Sequence, residues 1–391
     1  MKKIVVAPDS FKGSLTSAEV ADAVERGIKD VFPQCNVVKA GVADGGEGTV
    51  EAIVKAVGGD MYAASVTDPL GRPVKAAYGI VRSGGVKTAV MEMSAASGLP
   101  LLLPDELNPW ITSTYGTGKM ISDALNRGCR KFLIGIGGSA TNDAGTGMLS
   151  ALGVRFLDSS GQRLKGCGRD LESIARIDMS SLMPAARKSE FIVACDVNTP
   201  FCGPDGAARV FAPQKGADPQ TAEALDRGMR SFARVIAGQF QTDIVPLSGA
   251  GAAGGLGGAF KAFLNARLTA GIEMVLDAIA FDSLLEGASL VITGEGRIDA
   301  QTAAGKTAAG ILRHAARKGI PVIAIGGSVA MCRELKEMGF IGIYSIINAP
   351  VSLEQAMRQD WATARIRCTV EQILTTMKHC TGTLLFQKGG D

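Results

Sequence analysis

Three features of the sequence predict its fold class. Short β-branched apolar runs alternate with amphipathic helical stretches at both ends of the 391-residue chain, consecutive strands without helices follow the first such units, and glycines cluster after strand ends. Together they predict an α/β protein in which a five-stranded, flavodoxin-like parallel sheet carries a second, mixed α/β domain inserted into it. The sheet domain is expected to comprise residues 1–60 and 286–391, and the insert residues 61–285.

The elements follow in order. Ile4 to Ala7 is a short buried strand, and Ser14 to Val31 repeats apolar residues at helical spacing with Thr16 or Ser17 as N-cap. Asn36 to Val42 gives a second strand and Glu47 to Val57 a second helix, stopped by Gly58-Gly59. Beyond Gly59 the rhythm changes. Met61 to Thr67, Val74 to Val81 and Lys87 to Met93 read as strands joined by tight turns, which implies antiparallel pairing. From Gly116 to Asp282, helices (119–127, 221–238, 258–268) mix with strands (131–136, 191–194) and glycine-rich loops. Leu290 to Thr293, Val322 to Ile325 and Gly342 to Ile347 then return as buried strands, separated by helices over 305–318 and 331–338. Two βα units at the start and three strands at the end supply the five parallel strands. In the order 2-1-3-4-5 the first and third flank the ligand crevice, which places the loops Asp9 to Gly13 and Gly294 to Asp299 there. An insert at this position is expected to face the crevice and form a cleft able to close on substrate.

Composition narrows the function. Lys+Arg 41 against Asp+Glu 38 leaves a net charge of +3, and no block of five or six like charges occurs, which argues against a nucleic-acid binder or a polybasic membrane anchor. Aromatic residues at 5% leave few stacking platforms for bases. Glycine contributes 50 residues without a Gly-X-Y period, so the excess belongs to sharp turns and close backbone approaches. The two histidines, His314 in a helical stretch and His379 in a polar tail, have no triad or metal-ligand pattern around them. The eight cysteines form no CxxC pair and are expected to be reduced thiols. The Met-Lys-Lys start is followed by too short an apolar run for a signal segment, and no run reaches 18 apolar residues. A cytoplasmic enzyme acting on small molecules is the expectation.

Several segments carry the chemistry. Pro8-Asp9-Ser10-Phe11-Lys12-Gly13-Ser14 sets an acid, a hydroxyl and an amine at a strand end before a helix, a place suited to anions. Ala43-Asp44-Gly45-Gly46-Glu47 repeats the arrangement, although capping explains its two acids almost as well. Gly135 to Gly147 presents many backbone N–H groups with small side chains and suits a phosphate cradle. Asp196, after the 191–194 strand, could hold Mg²⁺ or accept a hydroxyl proton, and Pro213-Gln214-Lys215-Gly216 supplies a cation. Gly249 to Gly254 spells GxGxxG, but the strand and acid that should follow are missing, since Glu273 falls in a helical run. Gly294-Glu295-Gly296-Arg297-Ile298-Asp299 leads to Gly305-Lys306-Thr307, a loosened P-loop spelling that begins too far from the strand end. The charges Glu295, Arg297, Asp299 and Lys306 exceed what a plain loop needs and suit metal-assisted anion binding.

Taken together, these segments resemble the bacterial type I glycerate kinase family from the first strand to at least Gly327. The resemblance implies transfer of the ATP γ-phosphoryl group to D-glycerate, usually at the 2-hydroxyl, and a flavodoxin-like domain with an inserted α/β domain. It departs at Ala144, where the family typically has glycine, and at Asn198-Thr199-Pro200-Phe201. Phosphoryl transfer asks for positioning, Mg²⁺ and cations rather than a histidine. On this basis Gly137, Gly138, Ser139, Asn142 and Asp143 are expected to contact nucleotide, and Lys12 or Lys306 to neutralise phosphate. Arg297 would pair with the glycerate carboxylate, and Asp9, Ser10, Asp44 and Glu47 would line the substrate site. Asp196 would be base or metal ligand, with Glu295 competing for either role. The alternatives are phosphorylation at the 3-hydroxyl, a nicotinamide oxidoreductase resting on the 249–254 glycines, and a binding module without turnover. ATP, glycerate and Mg²⁺ are the expected small-molecule partners, with neither nucleic acid nor membrane.

Overall fold

A computed structural model describes every residue except Glu47, Gly84, Ala304 and 388–391, with only the backbone of Ser83 and 380–387. The strands in chain order are β1 (Lys3–Pro8), β2 (Asn36–Lys39), β3 (Gly59–Thr67), β4 (Pro73–Ser83), β5 (Val86–Glu92), β6 (Lys131–Gly135), β7 (Arg155–Leu157), β8 (Arg176–Asp178), β9 (Glu190–Ala194), β10 (Arg267–Thr269), β11 (Leu290–Ile298), β12 (Val322–Val329) and β13 (Gly342–Ser345). Contacts divide the chain into two units, 1–44 with 275–391, and 45–274.

The first unit is built on a wholly parallel sheet of order β13-β12-β11-β1-β2. Counted within this sheet that is 2-1-3-4-5, the order read from the sequence. The central strands are buried on both faces, as a parallel sheet covered by helices requires. Helix Ser17–Val31 begins with a reciprocal capping box between Thr16 and Glu19 and buries Val20, Val24 and Ile28. A long helix, Gln359–Gln387, packs against it through Ile366, Val370 and Leu374. His379 therefore lies on a helix and not in a tail. β11 also runs further than its apolar residues suggest. Glu295 and Arg297 pair in register with Gly326 and Ser328 of β12, so the charged segment expected as a loop is the end of a strand.

The second unit holds a six-stranded sheet of order β10-β9-β6-β5-β4-β3, with β7 and β8 forming a separate antiparallel pair. β3, β4 and β5 pair antiparallel as the turns imply, while β5, β6, β9 and β10 are parallel. Phe132 and Phe191 stack with centroids 4.8 Å apart in its core. Helix Thr49–Val57 packs on this sheet: the Val50 N–H donates to Glu92 at 3.0 Å, and Gly79 leaves room for Val54. Its apolar face is thus satisfied by β4 and β5, whereas the sequence places it with the parallel sheet, and the contacts divide the chain after Asp44 and after Met274 rather than at 60 and 285. Among the described residues no helix is long and apolar enough to cross a membrane. Cys35, Cys129, Cys167, Cys195, Cys202, Cys332 and Cys368 are free thiols.

Candidate active site

In the first unit a pocket of about 420 Å³ opens at the carboxyl ends of β1, β11 and β12, and Asp9, Ser10, Lys12, Asp44, Glu295, Arg297 and Lys306 all line it. Asp9 leaves β1 with its N–H donating to the Gly294 carbonyl at 2.8 Å, which locks the first strand's end to the third's. Its carboxylate is 7% exposed and accepts from Thr307 Oγ1 and the Ser10 N–H, both at 2.7 Å. Glu295, 6% exposed, accepts from Thr302 Oγ1. Burial pushes both acids up. Glu295 reaches about 7, with Asp9's charge adding to the rise; the Thr307 hydrogen bond opposes the rise at Asp9, and Asp44 reinforces it.

The cations of the pocket are exposed by comparison. Lys12 Nζ lies 3.6 Å from Asp44, Arg297 Nε 2.8 Å from Asp299, and Lys306 donates to the Gln301 side-chain oxygen at 2.9 Å. Their chains retain free reach toward an anion, while Phe11, Ile346, Ile347 and Met357 supply an apolar wall. Two buried carboxylates that resist ionisation are the donor set a hard divalent cation relieves. Among the described residues no three metal-ligating side chains gather, and Mg²⁺ held by one or two carboxylates plus substrate phosphates needs no such cage.

The remaining expected residues belong to the second unit. β6 and β9 pair in parallel with Gly135 opposite Ala194, so the loops that carry Gly137 to Ser139 and Asp196 leave the same sheet edge side by side. Gly137 and Gly138 are exposed and Ser139 is buried. Asp196 is exposed and accepts from the Gly271 N–H at 2.8 Å. Asn142 and Asp143, by contrast, are sealed in the core. Asp143 accepts from the Thr114 N–H and Oγ1 at 2.7 Å, from Gly145 N–H at 3.0 Å and from Gly147 N–H at 3.2 Å. Burial raises it and these bonds oppose the rise; it braces the loop from within. Ala144 takes φ 51°, the left-handed region in which a glycine would be at ease, and donates to the Gly254 carbonyl at 2.9 Å. The GxGxxG spelling serves this packing: Gly254 also has φ 67°, and a Cβ there would come within 2.2 Å of the Thr141 carbonyl. Glu47 lies outside the described residues.

Three side chains that hold the expected residues in place were not expected in that role. Thr307 belongs to the Gly-Lys-Thr spelling, yet it holds Asp9 rather than lying free for a metal. Thr302 has no sequence signal, because its partner Glu295 is seven positions back across a strand end. Lys215, noted only as a loop cation, is fully buried behind Ser139.

The glycerate kinase family model matches residues 4–378. The chain belongs to the glycerate kinase family. It is 47% identical over 355 residues to a glycerate kinase of Bacillus subtilis (strain 168), covering 90% of this chain and 92% of the relative. Against the glycerate 2-kinase of Escherichia coli (strain K12) it is 44% identical over 357 residues, 91% of this chain and 93% of that one. A crystal structure from Salmonella typhimurium LT2, provisionally named glycerate kinase 2, superposes with a TM-score of 0.88 at 44% identity, covering 97% of this chain and 99% of the other. Membership of this family makes the chain a kinase, a phosphotransferase, and a nicotinamide oxidoreductase is not favoured.

Proposed function

We propose that this family member transfers the γ-phosphoryl group of ATP to the 2-hydroxyl of D-glycerate, giving 2-phosphoglycerate and ADP. The observation that carries the reading is the first-unit pocket, where two buried carboxylates, Asp9 and Glu295, sit among the exposed cations Lys12, Arg297 and Lys306. Glycerate is a small hydroxy acid. Its carboxylate suits the planar fork of Arg297, while Lys12 and Lys306 neutralise charge on the group being transferred. Asp9 and Glu295 would hold Mg²⁺, which when bound offsets phosphate charge. Glu295, raised to about 7, can instead take the proton of the attacking hydroxyl. Ser10 and Asp44 complete the substrate wall. In the second unit the Gly137–Ser139 backbone is assigned to nucleotide phosphates, with Asn142 and Asp143 setting its shape and Asp196 as the competing base or metal ligand. A cytoplasmic setting accords with reduced thiols.

The product decides between hydroxyls. In a proton-coupled phosphorus spectrum of the reaction with ATP and D-glycerate, an ester on the secondary carbon couples to one proton and one on the primary carbon to two. A doublet is expected; a triplet would reassign the chain to the 3-hydroxyl.

A further inference from the structure

Lys215 ends the short turn Pro213–Lys215 of the second unit and is 1% exposed. Its Nζ donates to Ser139 Oγ and to the Thr141 carbonyl, each at 2.7 Å. Among the described residues no carboxylate forms an ion pair with it. Asp143 is the acid whose field reaches it, and the oxygens of Asp143 are already engaged by Thr114, Gly145 and Gly147. An ammonium group carries three donors, of which the two bonds use two. Burying such a group without a counter-ion is costly, and a hydrophobic residue of similar volume would remove that cost. Desolvation accordingly draws Lys215 down to about 7, so its charge is sensitive to any anion brought close. Two further buried oxygens on the same loop, Thr141 Oγ1 and Asn142 Oδ1, have no hydrogen-bond partner. The loop thus exposes Gly137 and Gly138, places Ser139 just beneath them, and keeps bonded to Ser139 a lysine that has no ion-pair partner among the described residues.

We infer that Lys215 is a positioning residue for the nucleotide's phosphates: it fixes the Ser139–Thr141 segment from behind and lends positive charge, through Ser139, to an anion lying on the Gly137–Ser139 backbone. This rests on the assignment of that loop to nucleotide. The loop alone would offer neutral N–H dipoles; with Lys215 behind it, an arriving anion meets an amine donor already fixed in place and favours its charged form, which is the preorganisation that phosphoryl transfer rewards.

The test uses the full chain, with ATP and glycerate varied separately and the ATP-induced shift in Tm recorded. Lys215→Met should raise the ATP KM about tenfold, equivalent to about 1.4 kcal/mol, leave the glycerate KM within about twofold, and diminish the ATP-induced Tm shift. Lys215→Gln, which keeps a donor but no charge, carries the same comparison should the methionine variant not fold. Because the effect passes through Ser139, Lys215→Met with Ser139→Ala should be little worse than Lys215→Met alone. Gly138→Ala, at φ 69°, probes the loop independently. Should it raise the ATP KM while the Lys215 variants leave it unchanged, the inference falls and the loop assignment stands. If neither moves it, both fall. Equal increases in both KM values would reduce Lys215 to a structural brace and overturn the inference.

Discussion

The side chains that line the first-unit pocket differ sharply in environment, its acids buried and its cations exposed. Burial pushes Glu295 up to about 7 from the 4.5 of an ordinary glutamate. The folded protein therefore keeps a proton that the unfolded chain releases, and stability linked to this group is present at low pH and lost as pH rises through that window. Measured by urea unfolding without divalent cations, the wild type should lose up to about 3 kcal/mol relative to Glu295→Gln between about pH 5 and pH 7.5. A constant difference would mean that the carboxyl is ionised throughout. Arg297 offers a different handle. Replacing it with lysine removes the bidentate fork but keeps the charge, so the glycerate KM should rise about tenfold with the ATP KM within about twofold; equal rises would remove Arg297 from the carboxylate. Asp196→Asn should lower kcat about 100-fold at saturating substrates, and a near wild-type kcat would take Asp196 out of the chemistry.

At the scale of elements, helix Ser17–Val31 is clamped by helix Gln359–Gln387. Arg367 bonds Asp30 through Nε at 2.6 Å and a terminal nitrogen at 2.9 Å, and Gly27 lies so close that a Cβ there would sit 2.6 Å from the Arg367 carbonyl. Glycine-to-alanine changes inside exposed helices usually stabilise. Here Gly27→Ala should cost about 1–3 kcal/mol, because the two backbones must part; an unchanged or raised urea midpoint would show that the helices separate freely. The capped first helix and the short buried strands were legible because local chemistry dictates them. Helix Gln359–Gln387 was not, since its apolar positions are interrupted by polar ones and its burial depends on a partner more than three hundred residues earlier. The charged end of β11 failed for the same reason: Glu295 and Arg297 are poor strand residues, kept extended by pairing with β12. Helix Thr49–Val57 shows the limit of counting βα units. Its pattern gives an apolar face but cannot say which sheet will cover it.

For the molecule as a whole, the parallel order and the mixed second sheet followed from where helices interrupt the strands, and the carboxyl-edge rule located the first-unit pocket from its first and third strands. Seven of the residues expected there line it, as Asp9, Ser10, Lys12, Asp44, Glu295, Arg297 and Lys306 all show, because the strand end fixes where each side chain begins. The threonines that hold the two acids, and the lysine hidden behind Ser139, escaped because their importance lies in partners far away in sequence. If the buried carboxylate pair Asp9 and Glu295 serves glycerate phosphorylation as proposed, glycerate-dependent ADP release should be robust in the wild type and fall about 100-fold or more in both Asp9→Asn and Glu295→Gln, with folding checked by circular dichroism. Release close to wild type in both folded variants would remove the pair from the reaction.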